Sequence, residues 1–280
     1  MFQHLRAFSA VAALLSACLG FGSAAYAAPG DLLVSPVRVI FEGRTRVAEV
    51  TLVNKGDETS VYRISFENRR MKEDGTFEEV EEARAGELFS ETLVRYAPRR
   101  VELQPNAPQT LRLMLRKPPS LEDGEYRSHL YFAAVPQENG VSGLEESETD
   151  NISIELTPIY GVTIPIIVRH GELDANVEIG ELSSATTQSG AYELNLQMSR
   201  TGDRSVYGDI SVRLPGSPHA LAEKRGVAIY SPNQSRKVAF QVPADVAETI
   251  SGRSFEITFT ERDSPNAGAI SSATFGPTSF

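Results

Sequence analysis

One run of residues, Asn151 to Arg169 (NISIELTPIYGVTIPIIVR), constrains the fold more than any other. Its even positions are Ile152, Ile154, Leu156, Pro158, Tyr160, Val162, Ile164, Ile166 and Val168. The odd positions include Ser153, Glu155, Thr157, Gly161 and Thr163. Side chains of a strand alternate faces with period two, so the run predicts a single strand. It is far longer than the usual strand of about five or six residues. A strand of that length must leave its own sheet or cover something else. An acidic, glycine-containing stretch precedes it, Gln137 to Asp150, and makes its first half a free apolar edge. Proteins normally blunt such edges. One left open is a surface for pairing with another chain.

Shorter alternating stretches fill most of the remaining sequence. They are Arg46 to Val53, Val61 to Phe66, Leu111 to Arg116 and His129 to Val135. Turn signals separate them at Asn54-Lys55-Gly56, Glu73-Asp74-Gly75, Gln104-Pro105-Asn106 and Glu122-Asp123-Gly124. Many strands punctuated in this way predict an all-β protein built of antiparallel sandwiches. A boundary falls near Arg169-His170-Gly171, after which the pattern restarts. The later strands are Asn176 to Leu182, Tyr192 to Met198, Val206 to Leu214, Lys237 to Val242 and Ser254 to Thr260. The chain thus divides into two domains, 31–169 and 171–280. The one helical stretch is Pro243 to Ile250, and Glu78 to Gly86 reads as a solvated hairpin or loop.

The first 27 residues read as a secretion signal. A weakly basic start is followed by the small, apolar stretch Ala7 to Gly22, and Ala25-Tyr26-Ala27 supplies the small-x-small cleavage pattern. An alternative is a lipoprotein signal at Leu15-Ser16-Ala17-Cys18, with Cys18 lipidated. Apolar residues continue past Cys18, which favours the cut after Ala27. The mature chain then has no cysteine, so packed cores must supply its stability. No later segment reaches the ~18 uninterrupted apolar residues of a membrane helix. The net charge of −10 argues against nucleic-acid binding, which needs a basic footprint.

The patterns of common enzymes are missing. There is no H-E-x-x-H, C-x-x-C, P-loop or G-x-S-x-G. His129, His170 and His219 are scattered without ligand spacing. The reading is of a chain that is not an enzyme, with no cofactor, no metal and no small-molecule substrate. One residue stands out. Leu32 to Phe41 is apolar on both faces except for Ser35 and Arg38, which predicts a strand buried on both faces. A lone charge there is costly unless paired. Arg38 is either a structural salt bridge or snorkelling side chain, or a fork held ready for a carboxylate. The residues alone leave both readings open.

Four stretches together resemble the periplasmic pilus-assembly chaperones of the PapD-like family. They are Ser35 to Phe41, Tyr96 to Pro105, Gly124 to Phe132, and Tyr160 to Gly171. Gly124-Glu125-Tyr126-Arg127-Ser128-His129-Leu130 and Ile164-Pro165-Ile166-Ile167-Val168-Arg169 are most similar to its archaic, nonclassical branch. The second half matches chiefly through Gly202 to Asp209.

The resemblance implies two immunoglobulin-like domains set in an L, and a chain that acts in the periplasm. It would bind pilin or fimbrial subunits by lending them a strand, and deliver them to an outer-membrane usher. It implies Ile152, Ile154 and Leu156 as the donor-strand plugs, and self-association when no client is bound. It also implies Arg38 as the anchor of the subunit's terminal carboxylate. The lysine that normally helps aligns with Pro165, and Arg127, on the preceding strand, is either its substitute or a surface arginine. Arg169 matches an arginine that ties the two domains together, although its first-domain partner aligns with Gln104 rather than an acid. The alternative is an immunoglobulin-like periplasmic adaptor, or an outer-membrane lipoprotein, with no pilin client.

Overall fold

The computed structural model describes residues 32–136, 160–263 and 268–277. The signal segment, the acidic stretch and the plugs Ile152, Ile154 and Leu156 lie outside the described residues.

The first half contains β1 (Leu32–Ser35), β2 (Val39–Phe41), β3 (Val47–Asn54), β4 (Ser60–Glu67), β5 (Arg69–Met71) and β6 (Phe77–Glu79). It continues with β7 (Val94–Ala97), β8 (Arg100–Leu103), β9 (Pro108–Leu115), β10 (Gly124–Val135) and β11 (Gly161–His170). One sheet runs β1-β3-β9-β7 and the other β2-β11-β10-β4-β8, with β5 and β6 as a separate ribbon. The two sheets close over one core. Val50 and Leu52 of β3 and Leu111 and Leu113 of β9 face Leu130, Phe132, Ile164 and Ile166 across it, all fully or almost fully buried. The period-two alternation puts these residues on a single face of each strand.

The second half contains β12 (Ala175–Thr186), β13 (Tyr192–Gly202), β14 (Val206–Arg213), β15 (Ala222–Ile229) and β16 (Ser235–Val242). Helix α1 (Ala244–Ile250), β17 (Phe255–Glu261) and β18 (Gly268–Phe275) complete it. Sheets β12-β13-β16 and β15-β14-β17-β18 enclose a second core around Leu194, Met198, Ile210, Val212, Ile257 and Phe259. Pro243 precedes α1, and Val246, Ala247 and Ile250 turn one face of this short helix into that core. The architecture is all-β, with two immunoglobulin-like sandwiches. Gly171, at φ +82°, takes the left-handed conformation that turns the chain out of β11.

The segment Leu32 to Phe41 differs from the expectation of one strand buried on both faces. It is two short strands in different sheets, β1 paired with β3 and β2 with β11. The chain crosses between sheets at Pro36, Val37 and Arg38, leaving Leu33 49% and Val37 64% exposed. Each strand is a sheet edge with one face on the core, and Pro36 has no N–H to continue a ladder.

Among the described residues, strand β11 is paired along its whole length on one side only. On that side it is antiparallel to β10 throughout, from Gly161↔Ala133 to His170↔Gly124. On the other it meets β2 in parallel at Ile166, Ile167 and Val168 alone. Among the described residues, Gly161 to Pro165 therefore have no strand on that second side.

Candidate functional site

Arg38 stands where the edge of β11 becomes free. Val39 pairs with Ile166, so Arg38 lies one register step further, level with Pro165. Its side chain reaches into the second sandwich. Nη1 donates to Asp263 Oδ2 at 2.8 Å and Nη2 to the Tyr230 hydroxyl at 2.5 Å. The guanidinium lies 3.9 Å over the ring centroid of Tyr207 and 5.2 Å from that of Tyr230. Tyr207 is on β14, Tyr230 follows β15, and Asp263 follows β17. Burial pushes the Asp263 carboxyl up from its ordinary value, and Arg38 and Arg169 offset this only in part.

Arg127, on β10, is buried against Tyr230, its guanidinium 4.3 Å from the ring centroid. Nη1 donates to the Arg69 carbonyl at 3.1 Å, and Nε has no hydrogen-bond partner among the described residues. Burial lowers its pKa, Tyr230, Glu125 and Glu87 raise it, and Arg38 lowers it again. Two strand positions on, His129 is buried with Nδ1 unpartnered and Phe77 edge-on at 5.5 Å. Burial holds its pKa well below the ordinary histidine range, and Arg127, Arg69 and Arg38 push it the same way. The imidazole is therefore neutral near pH 7. Met71, Ile167, Ala228 and Tyr230 form a small apolar cluster. Asn233 closes its rim by donating to the Met71 carbonyl at 2.8 Å.

Arg169 sits at the other end of β11. Nε donates to Glu125 Oε2 at 3.1 Å and Nη1 to Glu42 Oε2 at 3.3 Å. Nη1 and Nη2 also reach the carbonyls of Asp263 and Ser205, each at 3.3 Å. Glu125 in turn accepts the Ser205 backbone N–H at 3.0 Å and the Ser205 hydroxyl. The side chains of Arg169 and Glu125 are 2% and 1% exposed, so both charges are satisfied almost wholly by protein. The partner expected at Gln104 is elsewhere, since Gln104 is exposed just past β8. The acid comes from β10, where antiparallel register sets Glu125 directly opposite Arg169.

Of the residues singled out from sequence, Arg38 and Arg127 meet at Tyr230, and Arg169 pairs with Glu125 and joins Arg38 at Asp263 through the Asp263 carbonyl. Tyr207, Tyr230, Asp263, Glu42 and Glu125 were not singled out. No group of three or more acidic, histidine or cysteine side chains with metal-holding geometry occurs among the described residues. Chemically the arrangement offers an open strand edge, and at its inner end a guanidinium that holds a carboxylate.

No family model and no curated protein matches the chain. Solved structures do. The YadV chaperone is 15% identical, with 88% of this chain and 100% of that one covered at a TM-score of 0.44. A CsuC–CsuE complex of chaperone and tip adhesion subunit, from archaic chaperone-usher Csu pili of Acinetobacter baumannii, is 14% identical, with 89% and 99% covered at 0.44. The class 5 fimbriae chaperone CfaA is 13% identical, with 89% and 100% covered at 0.40. Each of the three structures contains a chaperone.

Proposed function

We propose that this chain is a periplasmic chaperone for fimbrial subunits, which it binds by lending a strand and delivers to an outer-membrane usher for fibre assembly. The observation that carries the reading is the half-paired strand β11. Among the described residues its edge has no partner strand from Gly161 to Pro165, and in the sequence the alternating run continues upstream through Leu156, Ile154 and Ile152. A client strand added along that edge would end near Arg38. Strand addition of this kind takes affinity from backbone pairing and specificity from alternate side chains. Burying three aliphatic plugs in a client groove would contribute about 1.5–3 kcal/mol each. The process needs neither ATP nor metal. The working division is a signal of 27 residues, a strand-lending domain over 31–169 and a second domain over 171–280.

A second reading is favoured by the bonds of Arg38 to Asp263 and Tyr230. Arg38 would then be a tie between the sandwiches and nothing more. One experiment separates the two. Tagged protein isolated from the periplasm of its own host is expected to carry fibre subunits that lack a last strand. Arg38→Ala is expected to lose them while its melting temperature stays within a few degrees of wild type. Normal capture by a correctly folded Arg38→Ala protein refutes the anchor, and isolation without any fibre subunit refutes the chaperone reading.

A further inference from the structure

The fork of Arg38 already holds an acid, and that acid comes from the protein itself. We infer that Asp263 is an internal competitor for the client's terminal carboxylate, so that a client is gripped at Arg38 only by displacing it. This rests on the chaperone reading above and concerns how the same site is regulated.

The geometry supports an exchangeable pair. Arg38 gives Asp263 one nitrogen and spends the other on the Tyr230 hydroxyl. The ion pair is therefore single-pronged, whereas a free carboxylate can take both prongs of a guanidinium. The contact is nearly buried but not sealed, with 8% of the Arg38 side chain and 14% of the Asp263 side chain exposed. Asp263 lies beyond the end of β17, so its side chain can swing without opening a ladder. Its main chain is pinned meanwhile. The Asp263 carbonyl accepts from Arg169, and the N–H of neighbouring Arg262 donates to the Tyr207 carbonyl at 2.9 Å. A displaced carboxylate thus stays beside the fork and can recapture it when the client leaves. The Tyr207 ring, 3.9 Å beneath, holds the guanidinium in place during the exchange. Burial also disfavours the ionised Asp263, as its raised pKa records, so release to water recovers part of what the pair loses.

The consequence is a selectivity threshold. A strand without a free carboxylate has nothing with which to displace Asp263, and it would be held by edge pairing alone. Apparent affinity scales with the fraction of protein that is competent to bind. If Asp263 occupies the fork roughly nine-tenths of the time, removing it tightens a carboxylate ligand roughly tenfold.

The test uses two fluorescein-labelled peptides of the same short Val/Thr alternating sequence, one ending in a free carboxylate and one in an amide. Binding to the full mature chain is followed by fluorescence anisotropy. The free-acid peptide is expected to bind Asp263→Asn roughly tenfold more tightly than wild type, while the amide peptide is unchanged. Equal or weaker binding of the acid, or an equal gain for the amide, overturns the inference. Arg38→Ala tells the two levels apart. If it leaves the preference for acid over amide intact, or if neither peptide binds any variant, the underlying anchor-and-edge reading fails instead. Circular dichroism checks the fold, with Asp263→Ser as the second variant. If neither variant folds, Asp263 is a structural residue and the inference is overturned.

Discussion

Removing Glu125 tests a buried charge pair within the first sandwich, whose two members also bond to Ser205 and Asp263 of the second. In Glu125→Ala, Arg169 loses the carboxylate that is 3.1 Å from its Nε, and the Ser205 N–H and hydroxyl lose their acceptor. Breaking a buried pair by deleting one partner costs about 3–5 kcal/mol, because the other charge stays desolvated. Arg169 retains Glu42, whose side chain is 47% exposed, and the carbonyls of Ser205 and Asp263. These softening contacts place the expected loss at the lower end, about 3 kcal/mol. At about 2–4 °C per kcal/mol for a chain of this size, the melting temperature should fall by roughly 6–12 °C. Calorimetry and urea unfolding would measure it, together with Arg169→Met and the double variant. The double variant should lose much less than the sum of the two single losses, since an uncharged pair leaves no buried orphan. Strict additivity, or a loss for Glu125→Ala below about 1 kcal/mol, refutes the buried-pair account. Glu49→Ala is the control. Its partner Arg112 is 2.9 Å away on an exposed face, and the change should not be measurable.

Two further outcomes are expected. Ile152→Ser, Ile154→Ser and Leu156→Ser combined should leave the urea midpoint of the free protein close to wild type and abolish subunit co-purification. A loss of several kcal/mol in the free protein would mean that the three residues are ordinary core. Measuring at several protein concentrations separates self-association from intrinsic stability. The second outcome concerns pH. His129 is held neutral when folded, with its pKa depressed, so below about pH 6.5 the unfolded chain binds a proton that the folded one refuses. Stability should therefore fall with pH by up to about 1.4 kcal/mol per unit, from about 6.5 down to the folded-state pKa. His129→Gln should remove that part of the slope, and an unchanged slope in urea unfolding between pH 7.5 and 5 would show that His129 does not cause it.

Much of the fold is legible in the sequence, because most strands face one side to a core and the other to water. The alternation in β3, β9, β13 and β17 comes directly from that asymmetry. Of the strands that escape the pattern, two do so for opposite reasons. The first half of β15, Ala-Glu-Lys-Arg-Gly, is mostly exposed and reads as a charged loop. β18 is built largely of small residues and carries little hydrophobic contrast. The Leu32 to Phe41 segment misleads because apolarity on both faces arises there from crossing between sheets, not from double burial. The site divides similarly. Arg38 is conspicuous as a charge in an apolar segment, but Tyr230 and Asp263 are 192 and 225 residues away, where no local pattern points back to it. Glu125 was recoverable in principle, since correct β10–β11 register alone sets it opposite Arg169.

The closeness of Arg38 and Arg127 to Tyr230 also has an optical consequence. The chain contains no tryptophan and nine tyrosines, so its near-ultraviolet spectrum is a tyrosine spectrum. Among those tyrosines, Tyr230 is buried, has two guanidinium groups near its ring and accepts a 2.5 Å hydrogen bond from one of them. Absorption by a phenol responds to the charge and polarity at its oxygen. Any event that changes the acid partner of Arg38 is therefore written into the spectrum of the adjacent ring. The occupancy of the fork can be read as a tyrosine difference signal, without a label, in the wild-type protein.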